Sequence, residues 1–271
     1  MPPDCGKVLL VGAGPGAADL LTLRAACAIG AAQAVLYDAL VGADVLDLAP
    51  QACLRIQTGK RAGKASVSQA VINRLMLRLA RRGLRVVRLK GGDPSIFGRS
   101  AEEIAFLEGH GVQVEVIPGV TAASAAAAQF GFSLTERGSA RRLVFATARK
   151  GDGGLVQEGW SGLADPEASV VFYMGRDSAG AVADRLMDNG RAPDTPALAI
   201  ENAGRPHARL VRTRISELGA AVDAADFDGP VLLMIGRVAA RARAQGSSDS
   251  AFEPDMENPR RPGRGSKTQV Q

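Results

Sequence analysis

Short apolar runs that stop at glycine or aspartate recur along this chain, and most of its elements can be read from them. Lys7 to Val11 (KVLLV) is hydrophobic enough for a strand buried on both faces, and Gly12-Ala13-Gly14-Pro15-Gly16-Ala17 ends it. Leu20 to Ala32 has the spacing and composition of a helix, and Ala34 to Tyr37 is a second strand that stops at Asp38. The first forty residues therefore predict a βαβ unit with its two strands paired in parallel. A helix is expected near 43 to 49. Ser66 precedes another, in which Ser68, Val71, Ile72, Leu75, Met76 and Leu79 set an apolar stripe toward the sheet before Gly83 ends it.

The centre of the chain is Val86 to Arg99, VVRLKGGDPSIFGR. Val86 to Leu89 reads as a strand that runs into Gly91-Gly92-Asp93-Pro94. Glycine lacks a Cβ, so a ligand can lie against this backbone, and Asp93 adds a carboxylate beside its amides. The same four residues also make an ordinary tight loop, with Asp93 capping the turn. Ser100 and Glu102-Glu103 open a helix to about Glu108, the acids suiting its positive end. Val112 to Ile117 is a strand that delivers Pro118 to Ser124 and an alanine-rich helix through Phe130, whose small side chains admit either a flat ligand or another backbone. Strands follow at Arg142 to Thr147, Ser169 to Tyr173, Ala197 to Glu201 and Val231 to Ile235, with helices near 178 to 189 and 216 to 224. Beyond Ala244 the composition turns to Ser, Asp, Pro, Arg and Gly, which reads as a disordered tail.

Length and composition narrow the class. At 271 residues, two domains or one large α/β unit are expected. Aromatics are only 4%, so the core must lean on Ala, Val and Leu. No apolar run approaches the roughly 20 residues of a membrane span, and Met-Pro-Pro-Asp does not open a signal peptide, so a cytoplasmic location is expected. Cys5, Cys27 and Cys53 form no C-x-x-C pair, which argues against a disulfide framework or zinc; two of them read as core filler. His110 and His207 read as surface residues and offer little to a metal site or a catalytic triad. The net charge of +5 suits nucleic acid, an acidic membrane surface or a polyanionic small substrate, and charge alone does not choose. A basic face studded with aromatics is missing, which weakens the first. Gly12, Gly14 and Ala17 fit G-x-G-x-x-[GA], with Asp38 about twenty residues on, so a nicotinamide-dependent oxidoreductase fits the first forty residues. It leaves the Gly-Gly-Asp-Pro loop unexplained, and Pro15 removes an amide from the loop that would hold pyrophosphate. Thr58 to Lys64 reads as a solvated basic connection or as an anion contact.

GAGPG with LLTL, YDALV, GKRAGK, RLKGGDP with FGR, IPGVTAA, FYMG and PALAIENA stand in this order across about residues 7 to 238. Together they resemble the S-adenosylmethionine-dependent tetrapyrrole methylases, and within them the uroporphyrinogen III C-methyltransferases. The resemblance implies two α/β domains with mostly parallel or mixed sheets, at 5–125 and 126–243, an active site in the cleft between them, and a homodimer. It implies methyl transfer from S-adenosylmethionine to C-2 and C-7 of uroporphyrinogen III to give precorrin-2, for siroheme or cobalamin. The eight carboxylates of that substrate would answer the basic body, with no metal, nucleic acid or membrane required.

Pro15, Gly91, Gly92, Asp93, Ile96, Thr121, Ala122, Met174 and Ala203 match the family's cofactor contacts, although Met174 taken alone also reads as core packing. Asp38 matches a proton acceptor, Lys60 a proton donor and Arg88 a functionally placed arginine. Arg99 and Arg137 are candidates for substrate carboxylates. The chain departs from the family pattern at Ala17, Ser100-Ala101, Glu136, Ala148-Arg149 and Ala203-Gly204, and Glu136 places a negative charge where a polyanion would approach. A methylase of a later corrin intermediate, and a catalytically weakened cofactor- or tetrapyrrole-binding protein, are the alternatives.

Overall fold

The computed structural model describes residues 6–59, 67–148, 156 and 158–243, arranged around two five-stranded sheets. The first holds β1 (Val8–Gly12), β2 (Ala34–Tyr37), β3 (Leu54–Gln57), β4 (Val86–Lys90) and β5 (Val114–Ile117) in the order β3-β2-β4-β1-β5, every pair parallel. The expected pairing of β1 with β2 is not formed. Val8 and Ala34 both lie opposite Val86, because β4 is inserted between them. All five residues of β4 are buried, and a strand buried on both faces belongs at the centre of a parallel sheet.

Helices α1 (Leu23–Gly30) and α2 (Ala43–Asp47) cover one face, over Val11, Val35, Val87 and Leu89. Helices α3 (Gln69–Ala80) and α4 (Ser100–Glu108) cover the other, over Val8, Leu10, Leu36 and Val86. Side chains alternate along a strand, so Arg88 and Lys90 fall on this second face with Val86. α1 starts later than its periodicity suggests, because Thr22 caps it by accepting from Ala25 N at 3.1 Å while Ala18–Leu20 makes a separate 3-10 turn.

α5 (Ala122–Gln129) leads into the second sheet, which holds β6 (Arg142–Thr147), β7 (Ala168–Tyr173), β8 (Pro196–Glu201), β9 (Arg209–Arg214) and β10 (Val231–Ile235) in the order β6-β7-β10-β8-β9. Only β6 and β7 are parallel neighbours. One face carries Val170, Phe172 and Leu233 under α6 (Trp160–Leu163), α7 (Ala179–Asp188) and α8 (Leu218–Ala224). On the other, Val171, Leu198 and Met234 meet Ala123, Ala126 and Ala127 of α5. The expected division between residues 125 and 126 thus falls inside a helix that packs on the second sheet.

Strands β3 and β9 had no sequence signal. Both are edge strands, where solvent takes one side and polar residues such as Arg55, Gln57, Arg212 and Arg214 replace the apolar run. Of the cysteines described, Cys53 is buried but Cys27 is exposed, so only the first fills core. No helix of the described residues is long and apolar enough to cross a membrane.

Candidate active site

Three loops leave the C-terminal ends of β4, β1 and β5, which are adjacent strands, and they are laced together. Gly14 and Gly92 form an antiparallel bridge, with Gly92 N donating to Gly14 O at 2.6 Å and Gly14 N to Gly92 O at 3.2 Å. The amide of Gly92, expected to face a ligand, is therefore used within the protein. Asp93 caps the turn, as one of its two readings held. Its Oδ1 accepts from Ser95 N at 2.8 Å and from the Ser95 hydroxyl, and its Oδ2 accepts from Gly119 N at 3.0 Å. What Gly92 leaves open is its α-carbon face. At φ 67° it sits where L side chains rarely go, and a Cβ there would meet nothing within 4 Å.

Burial pushes the Asp93 carboxyl up, but the hydrogen bonds from the Ser95 hydroxyl and from the Gly119 and Ser95 amides together hold it below the ordinary carboxylate range. A carboxyl whose folded value is depressed adds stability above its unfolded value, and that stability is lost as pH falls through the folded one. The stability gap between wild type and Asp93→Asn should therefore be constant from about pH 6 to 8 and close below about pH 4. Urea midpoints across pH measure it; a gap that persists at low pH would contradict this assignment.

The open face of Gly92 borders a cavity of about 490 Å³ between the two sheets, a size suited to a small organic ligand. All nine sequence candidates of the loop set, Pro15, Gly91, Gly92, Asp93, Ile96, Thr121, Ala122, Met174 and Ala203, line it. Met174 is 60% exposed with φ 56°, which sets aside core packing. Residues that sequence reasoning missed complete the wall: Leu40, Tyr173, Arg176, Asp177, Arg205 and Asp228. Tyr173 shares a hydrogen bond with the Thr121 hydroxyl and packs on Phe97 at 5.3 Å between ring centres; burial raises its pKa.

Arg205 ties the halves together across this cavity. Its Nη2 donates to Leu40 O at 2.6 Å and its Nε to Pro15 O at 3.3 Å, while Gln129 holds the arginine's loop by accepting from Gly204 N and donating to Arg205 O, each at 2.9 Å. Gly16 gives this side chain room, since a Cβ there would come within 2.5 Å of it. Arg205→Ala should lower the melting temperature by about 6 °C or more, from the loss of two hydrogen bonds from a charged donor. Differential scanning calorimetry tests this, and an unchanged transition would mean that the tie carries no weight.

Asp38 follows β2 directly, two residues before Leu40 of the cavity wall. Its Oδ1 accepts from Arg88 Nη2 at 2.5 Å and from the Thr58 hydroxyl at 3.4 Å, and the side chain is 32% exposed. Thr58, which opens the basic loop, is buried, while residues 60–64 of that loop lie outside the described residues. Arg88 also donates from Nε to Glu103 Oε1 at 3.2 Å, and Lys90 Nζ donates to Glu103 Oε2 at 2.9 Å. Glu103 is fully buried. It is not a solvated dipole acid as its position in α4 suggested, whereas its neighbour Glu102 is exposed and pairs with Arg99 at 2.7 Å. Lys60 lies outside the described residues. Arg99 and Arg137 are exposed and outside the cavity lining. The charge of Glu136 is answered locally by the Ser139 hydroxyl at 2.6 Å and by Arg241 at 3.4 Å. Among the described residues, no group of three or more His, Cys, Asp or Glu side chains could hold a metal ion.

Comparison with known proteins places this architecture. Residues 7–219 match the family of tetrapyrrole (corrin/porphyrin) methylases. The chain is 45% identical over 242 residues to an S-adenosyl-L-methionine-dependent uroporphyrinogen III methyltransferase, chloroplastic, of Arabidopsis thaliana, covering 87% of this chain and 64% of that protein. It is 43% identical over 237 residues to a siroheme synthase of Azotobacter vinelandii, covering 88% of this chain and 51% of the other. The chain thus spans between half and two thirds of these curated relatives. Among solved structures, uroporphyrin-III C-methyl transferase from Thermus thermophilus, complexed with S-adenyl homocysteine, superposes with a TM-score of 0.74 at 40% identity, covering 86% of this chain and 93% of that one. A cobalt precorrin-4 methyltransferase gives 0.76 at 27% identity, covering 85% and 94%. With its two sheets, its laced glycine loops and the cavity between them, the chain belongs to the tetrapyrrole methylases.

Proposed function

We propose that this protein methylates uroporphyrinogen III at C-2 and C-7, with S-adenosylmethionine as the methyl donor, giving precorrin-2. The observation that carries the proposal is the convergence of all nine candidate loop residues on one cavity. The cavity fits the donor: the α-carbon of Gly92 faces open space that any side chain would fill, and Met174, Ala203 and Ile96 give apolar walls. Gly91, Gly92, Asp93, Thr121 and Ala122 would hold its polar end, and Pro15, Met174 and Ala203 its flat base. When bound, S-adenosylmethionine supplies an electrophilic methyl carbon.

The protein's own work is alignment and proton handling. Among the described residues, Arg88 and Thr58 take Oδ1 of Asp38, and Oδ2 is the oxygen that would accept the proton the macrocycle releases. In this reading Lys60 is the matching donor, and Arg99 and Arg137, whose side chains are exposed, meet substrate carboxylates. Homodimeric assembly and a cytoplasmic location go with the proposal and rest on it. Anaerobic incubation of the purified protein with S-adenosylmethionine and uroporphyrinogen III, followed by product mass, should show two methyl groups per macrocycle. Cofactor binding without transfer would overturn the proposal and favour a later corrin substrate.

A further inference from the structure

The pair Asp38 and Arg88 does not stand alone. Behind it is a buried set that the proposed chemistry does not use directly. Arg88 is spread over three partners: Nη2 to Asp38 Oδ1 at 2.5 Å, Nε to Glu103 Oε1 at 3.2 Å, and Nη1 to Leu89 O at 3.0 Å. Glu103 is filled on both oxygens, since Oε1 also accepts from Gln69 Nε2 at 3.0 Å and Oε2 takes Lys90 Nζ at 2.9 Å. Gln69 is fixed in turn by donating to Asn73 Oδ1 at 2.9 Å. Gly98 makes room for the lysine, because a Cβ there would sit 3.0 Å from Lys90 Cε.

Two cations and two carboxylates therefore share one side of the sheet, three of the four nearly fully buried. If their work were only to pin α4 to β4, apolar side chains of similar size would serve at least as well, because burying charges costs desolvation that pairing barely returns. The set is also graded. Asp38, at its open end, is the one member with solvent access, and the other three lie behind it.

We propose that Glu103 and Lys90 are positioning residues for the proton transfer, which through Arg88 set how firmly Asp38 holds a proton. This rests on the reading of Asp38 as the acceptor. Glu103 turns the guanidinium edge-on to Asp38 and claims part of its charge, and Lys90 limits that claim by neutralising Glu103. Among the described residues, the charged groups bearing on Asp38 are Arg88 and Lys90 from β4 and Glu103 from α4. Thr58, Gln69 and Asn73 add neutral dipoles, and Glu102 at the rim is matched by Arg99. Burial already inclines Lys90 to shed its proton, opposed by Glu103.

The two charges act on Asp38 with opposite signs, which a structural role would not reproduce. Lys90→Met removes a cation and leaves Glu103 to pull harder on Arg88, so the acid limb of kcat for methyl transfer should move to higher pH. Glu103→Gln removes an anion and gives Arg88 wholly to Asp38, so the limb should move to lower pH. The second displacement should be the smaller, because Lys90 without its counter-ion releases its proton more readily. Glu103→Gln is isosteric and Lys90→Met shortens the side chain by only one atom, and two readouts serve on the full chain: the ¹³C NMR titration of the Asp38 carboxyl and the acid limb of kcat for methyl transfer. Opposite NMR shifts with the acid limb following each would support the proposal. If either variant is unstable, the sign of the other decides. Unmoved titration in the folded variants overturns the inference whatever the activity. NMR shifts that the limb does not follow show instead that Asp38 is not the acceptor, which removes the reading on which the inference rests.

Discussion

Asp38→Asn is expected to reduce kcat for methyl transfer by about 10³-fold, within the range that general acid–base groups contribute, while leaving cofactor affinity within about twofold. The replacement is isosteric, and an amide oxygen can still accept from Arg88 and Thr58, so the local geometry survives. What is lost is the capacity to take a proton. Asp38 is not among the residues lining the cavity, which is why donor binding should not change. Initial rates under anaerobic conditions and calorimetric titration with S-adenosylhomocysteine separate the two effects. A kcat within about threefold of wild type, well below what such a group supplies, would remove Asp38 from the chemistry.

Gly119→Ala should be among the most damaging glycine-to-alanine changes in the described residues. A Cβ at Gly119 would lie 2.2 Å from Gly92 O and 2.9 Å from Gly12 Cα, both backbone atoms that cannot rotate away. Either the loop after β5 or the loop after β4 must retreat. Retreat breaks the bond from Gly119 N to Asp93 and strains the Gly14 to Gly92 bridge, so the floor of the cavity loses its shape. The expected cost is about 3 kcal/mol in stability, at the upper end for overpacking, with donor affinity reduced at least about 100-fold. Gly162→Ala is the control: it sits in α6 with nothing within 4 Å of the added carbon, and it should be neutral or slightly stabilising. Urea midpoints and the same titration compare them; equal behaviour of the two variants would refute close packing of the loops.

The buried strands were legible because each carries a short, nearly continuous apolar run, as in Val8 to Val11, Val86-Val87 and Val231 to Ile235. The order of those strands was not, because nothing local to β1 or β2 says that β4 will come between them. Edge strands β3 and β9 escaped notice since half of their positions answer to water rather than to the core. The loop candidates came from a chain of motifs with no geometry attached, and folding gathers them into one cavity. Glu102 and Glu103 show the limit most clearly. They are adjacent and identical in the sequence, yet about 100° of helix rotation sends one to solvent and the other to the centre of the ion set. The second-half residues Arg176, Arg205 and Asp228 had no signal, as single polar positions in loops whose roles come only from how the two sheets meet.

The insertion of β4 between β1 and β2 also has a meaning in time. During synthesis, both earlier strands emerge with a vacant slot one strand wide between them. Val8, Leu10, Ala34 and Leu36 then have no hydrogen-bonded neighbour to bring them together until residues 86–90 leave the ribosome. The stretch that bridges the two strands is the one that carries Arg88 and Lys90 and leads into the glycine loop. Until it emerges, β1 and β2 keep unpaired, aggregation-prone strand edges; the arrival of one five-residue segment then joins them and begins the candidate site together, with β5 added at the edge afterwards.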